Sequence, residues 1–112
     1  MAESATHTSL ADGRWQTLGL MEQLGNIGSE VGRALRAKTQ GNQQRLTAAL
    51  DRALELFDLT VADPRWRFRL REILRAREVV CDFLVGDNDY CSTAESLDDY
   101  FTTFALAARR SR

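Results

Sequence analysis

The chain has 112 residues, 44% of them hydrophobic and 28% charged, with one proline, seven glycines and a formal net charge of −1. That size and balance suit one folded domain burying about 60 to 70% of its unfolded surface, and they exclude a disordered segment or a disulfide scaffold. Fifteen basic residues against sixteen acidic ones lack the overall positive charge of a dedicated nucleic-acid binder, and no apolar run reaches the length of a membrane span.

In chain order, "MAESATHTSLADG" carries neither a basic region nor an apolar run, so residues 1–13 are expected to form a flexible tail without a secretory signal. A first helix is predicted at about 15–38, because Leu20, Leu24, Ile27, Val31 and Ala34 recur at alternating spacings of four and three. Gly25, Gly28 and Gly32 line one side of it, each costing up to about 1 kcal/mol against alanine, which implies close approach by another helix or by a partner backbone. "TQGNQQ" ends this segment. A second helix is predicted at about 43–62, with Leu46, Leu50, Ala53, Phe57 and Thr60 inward.

Asp63 and Pro64 form a start signal for a third helix over about 64–85, since the aspartate accepts from free backbone amides and the proline loses no bond there. Trp66, Leu70, Ile73, Leu74, Val80, Cys81 and Leu84 form the expected inner stripe. Phe68, Ala76, Val79 and Phe83 form a second stripe beside it, more than one bundle needs, and so mark an interface. A fourth helix is predicted at about 93–110 on Leu97, Phe101, Phe104 and Ala108. The expected fold is all-α: an antiparallel four-helix bundle forming a single domain over residues 14–112.

"VGDNDYCSTAE", between the last two helices, is the stretch nearest to a metal loop. Read as a calcium loop from Asp87, it puts Cys91 at a ligand position, lacks the turn glycine and ends on aspartate, which is a poor match. A capping box from Ser92 to Glu95, with Gly86 closing the third helix, fits better. Cys81 and Cys91, with the only histidine, His7, in the tail, do not supply a closed zinc site. No nucleophile motif, phosphate loop or histidine base lies in the folded region, so neither enzymatic activity nor a cofactor is expected.

Arg67, Arg71 and Arg75 share one face of the third helix and, with Arg109, Arg110 and Arg112, are the candidate contacts to nucleic acid. Arg77 falls within the inner stripe, where an unpaired charge costs several kcal/mol, so a buried ion pair with Glu30 or Glu55 is expected. The leading functional expectation is a non-catalytic protein–protein interaction module, self-associating as a homodimer through Phe68, Ala76, Val79 and Phe83, with nucleic-acid binding as the alternative. Two cysteines fit a reducing compartment, and a cytoplasmic location is expected.

The segments "EQLGNIGSEVGRAL", "ALELFDLTVADPRWR", "REILRAREVVCDFLVGDNDY" and "YFTTFALAARR" resemble those of a group of short uncharacterised bacterial proteins, over nearly the whole chain apart from the tail. The resemblance implies a bacterial, cytosolic, all-helical protein and brings no activity or site residue with it. A looser likeness to helical-bundle domains of nucleotidyltransferase-linked toxin and antitoxin pairs lacks the arginine-to-histidine motif of the RNases in that group, which speaks against nuclease activity.

Overall fold

The structure, a computed structural model, describes residues 13–110, so the expected tail lies outside the described residues except for Gly13. Among them are four α-helices and no strand: α1 (Leu20–Thr39), α2 (Gln43–Val61), α3 (Leu70–Leu84) and α4 (Ala94–Arg110), with 3-10 turns at Trp15–Thr17 and Pro64–Arg69. No helix among the described residues is long and apolar enough to cross a membrane.

Helix α1 packs most extensively against α2 and α4 and also touches α3. It buries residues around most of its circumference, from Leu20, Leu24 and Ile27 to Val31, Ala34 and Ala37. Gly41, at φ +70, turns the chain out of α1, and the Asn42 side chain accepts from the Arg45 amide to cap α2. The glycines serve α4. A Cβ on Gly28 would stand 2.5 Å from the Phe101 Cβ, and one on Gly25 would stand 3.2 Å from the Ala105 Cα, whereas Gly32 meets only the end of the Arg36 side chain at 3.5 Å. Gly25 and Gly28 are therefore packing positions within the chain and not contacts for a partner, and Gly32 has no backbone neighbour that requires a glycine.

The first helix starts five residues later than its periodicity suggests, at Leu20, because Leu18 is extended and breaks it from the turn at Trp15–Thr17. That break lets Trp15 fold back into the core, where it is 1% exposed. Its indole N–H donates to Thr60 Oγ1 at 3.0 Å, and its carbonyl accepts from Gln23 Nε2 at 2.9 Å. Gln23 Oε1 accepts in turn from the Trp66 indole at 2.9 Å, so both ends of this fully buried amide are satisfied.

Asp63 caps the next segment as its sequence implies, accepting from the Arg65 amide at 3.0 Å, but the segment is a 3-10 turn with Trp66 at φ −103, ψ 19. Only from Leu70 does an α-helix run. The consequence is rotational: Trp66 and Phe68 do not share the phase of α3. The buried face is Ile73, Ala76, Val80 and Leu84, with Val79 and Phe83 packed at its margin, while Leu74 is exposed and Cys81 half-exposed. The expected assignment of the two stripes is thus overturned. Ala76, Val79 and Phe83 belong to the core or its edge, and part of the expected inner stripe faces outward.

The same rotation moves Arg77 off the core. Its side chain is 35% exposed, and its Nε donates to Asp58 Oδ1 on α2 at 3.2 Å, so neither Glu30 nor Glu55 is its partner. The buried charge is Glu30 itself. One of its carboxylate oxygens is held by Arg33 and the other by Arg52 at 2.6 Å.

Asp63, also buried, is bound through both carboxylate oxygens by the Arg65 guanidinium, at 2.7 Å for the closest pair. The Arg65 hydrogen bond holds the Asp63 carboxyl below its ordinary value, against the opposing effect of burial. A carboxylate with a lowered folded-state pKa stabilises fully above its unfolded pKa of about 3.9 and loses that contribution as the pH falls through the folded value. Asp63→Asn is therefore expected to melt below wild type at pH 7, with the gap closing under acid conditions below about pH 4. Melting curves of both proteins across that range check this, and a gap independent of pH would contradict it.

Candidate functional site

The stretch joining α3 to α4 is a turn organised by Asp82 of α3 and by Asn88. The Asp82 carboxylate accepts from the amides of Asp89 at 2.8 Å and Tyr90 at 3.1 Å. Asn88 and Cys91 both sit at φ 54, and the Asn88 side chain bonds the Ser92 amide and carbonyl at 2.8 and 3.0 Å. The reciprocal cap of α4 is one residue later than expected: the Ser96 amide donates to Thr93 Oγ1 at 2.9 Å and the Thr93 amide to Ser96 Oγ at 3.0 Å. Gly86 does close α3, its N–H donating to the Cys81 and Asp82 carbonyls at 3.0 and 3.1 Å. Among the described residues no three His, Cys, Asp or Glu side chains are grouped to hold a metal ion.

The outer edge of α3 carries exposed apolar side chains. Leu74 is 47% and Val85 60% exposed, and Cys81 lies half-buried between them. Together with Arg77, Glu78 and Gly86 they line a shallow cleft of about 430 Å³. Burial pushes the Cys81 thiol up, so it acts here as an apolar group and not as a thiolate. Leu70, half-buried one turn before Leu74, extends the stripe toward the start of the helix. The opposite edge is less open: Ala76 and Val79 lie at the floor of a cleft of about 250 Å³ closed by Leu97, Tyr100 and Phe101 of α4.

Of the remaining expected site residues, Phe68 is 86% exposed beneath the Arg67 guanidinium, 4.8 Å from its ring centroid. Arg67, Arg71 and Arg75 are all exposed, but Arg75 lies 5.3 Å over the Tyr90 ring and 4.0 Å from Glu78. Arg109 and Arg110 are exposed in the last turn of α4, and no hydrogen bond, ion pair or ring contact joins them to those arginines among the described residues. Arg112 lies outside the described residues.

Two further surface features stand apart from the expected site residues. Leu74 falls in the expected inner stripe and looks like core until the rotation of α3 is known, and Val85 lies just beyond that stripe. Arg33, Arg36, Arg45 and Arg52 converge on a groove between α1 and α2. Their spacing signalled it: Arg33 and Arg36 are three apart, and Arg45 and Arg52 seven apart, so each pair shares a helix face.

Comparison with known protein families, characterised proteins and solved structures finds no match to this chain.

Proposed function

We propose that this protein is a non-catalytic helical interaction module that self-associates through the outer edge of α3. The observation that carries the reading is the apolar stripe of Leu70, Leu74 and Cys81 on one face of α3, continued by Val85 at its C-cap, in which Leu74 and Val85 are exposed and Leu70 and Cys81 half-buried. Arg77 and Glu78 flank the stripe with opposite signs. A second copy related by a twofold axis along the stripe sets Arg77 of one chain against Glu78 of the other, a self-complementary layout. The reading takes the helices as an antiparallel bundle around α1, because Gly25 faces Ala105 and Gly28 faces Phe101, in opposed order. Free thiols at Cys81 and Cys91 fit the reducing cytoplasm of a bacterium. Nucleic-acid binding through Arg67, Arg71 and Arg75 has weaker support, since Arg75 is engaged by Glu78 and Tyr90.

Light scattering across a concentration series tests the reading. Wild type should be dimeric at tens of micromolar, and Leu74→Glu or Val85→Glu should be monomeric yet still folded, with wild-type helix content by circular dichroism, because neither side chain is buried in the chain. A wild type that remains monomeric at high micromolar concentration overturns self-association.

A further inference from the structure

The geometry points to a second site, independent of the α3 edge: an oligophosphate-binding groove between the C-terminal half of α1 and the N-terminal half of α2. The groove has a volume of about 430 Å³, and Arg33, Arg36, Arg45 and Arg52 line it over a floor that includes Ala37 and Ala48. Of these four guanidinium groups, those of Arg33 and Arg52 are paired, both with the carboxylate of Glu30.

Glu30 does not neutralise the groove; it arranges it. Taking a carboxylate out of water is costly unless it is paired, and Glu30, 5% exposed, is held by a different arginine on each oxygen. That shared acid ties the heads of Arg33 on α1 and Arg52 on α2 to one point. Arg36 and Arg45, in contrast, make no ion pair among the described residues, although both are exposed and available. Glu95 and Asp98 border Arg36 from the α4 side without coming within ion-pair distance of it.

Arg45 adds a second indication. It occupies the first turn of α2, which holds no acidic residue, so a cation stands against the positive end of the helix dipole. An anion seated in the groove relieves that repulsion and receives charge-assisted hydrogen bonds from guanidinium forks, whose geometry matches phosphate oxygens. Among the described residues no aromatic side chain lines the groove to stack a base. The ligand class is accordingly a chain of linked phosphates recognised through its oxygens.

Isothermal titration of the full chain with tripolyphosphate, pyrophosphate and orthophosphate at low ionic strength reads this directly. Affinity should rise with the number of phosphates, and tripolyphosphate should raise the melting temperature. Arg36→Gln with Arg45→Gln removes two unpaired surface charges without touching the Glu30 cluster, and it should weaken tripolyphosphate binding about tenfold or more. Arg71→Gln with Arg75→Gln, an equal charge change on α3, should leave binding unaltered. Three results overturn the proposal: no binding of tripolyphosphate at millimolar concentration, equal weakening by both double variants, or a single-stranded oligonucleotide that binds more tightly than tripolyphosphate and depends on Arg36 and Arg45. The last would assign the groove to a nucleic-acid backbone. None of these outcomes depends on whether the chain dimerises.

Discussion

Truncating Trp15 to alanine is expected to lower the unfolding free energy by about 3 to 5 kcal/mol, the largest single loss anticipated in this protein. The indole is 1% exposed in a core that otherwise belongs to the helices, so its removal leaves a cavity that the short turn around it fills poorly. It also removes the donor to Thr60 Oγ1, although Thr60 retains its own bond to the Leu56 carbonyl at 2.9 Å. Trp15→Phe separates the two contributions. It keeps most of the apolar volume while losing the bond and a part of the ring, so about 1 to 2 kcal/mol should be lost. Urea unfolding followed by circular dichroism checks both variants. An alanine variant within about 1 kcal/mol of wild type would mean that the segment before α1 is not docked.

Glycine positions on α1 give the second large effect, and its sign should change within one helix. Gly28→Leu is expected to cost about 3 kcal/mol or more, because its first side-chain atom already falls 2.5 Å from the Phe101 Cβ and α4 must be displaced to admit the rest. Gly28→Ala should also destabilise, since the clash outweighs the gain of up to about 1 kcal/mol in helix propensity. Gly32→Ala meets only a flexible guanidinium end at 3.5 Å and should be neutral or stabilising by up to about 1 kcal/mol. Thermal melts of the three variants decide the matter. A Gly28→Leu protein that folds with wild-type stability would show that α1 and α4 do not approach closely there.

Part of this arrangement was legible from local chemistry. The aspartate–proline pair at 63 and 64 opens the segment it should open, and of the three glycines at helical spacing Gly25 and Gly28 make the close approach they imply while Gly32 does not. The candidate surfaces were less legible. Val79 and Phe83 had the composition of an interface stripe, yet they lie against the core. Leu74 had the composition of core, yet it lies in water. The error has one source. Trp66 was counted in the phase of the third helix, but the bond from its indole to Gln23, 43 residues away in sequence, accompanies a non-helical turn that separates it from α3.

The sequence by itself determined that the chain is helical, where most helices begin and end, and which positions share a face, because capping and 3.6-residue periodicity act over a few residues. Only the tertiary structure decided which face of α3 turns inward, that Arg77 pairs with Asp58, and that Glu30 gathers Arg33 and Arg52 from two helices. Periodicity sets angles within a helix, whereas rotation about its axis is settled by the volume and polarity of the groups packed against it. Those groups, Gln23 for the turn before α3 and Phe101 for the glycine face of α1, are remote in the chain and adjacent only after folding.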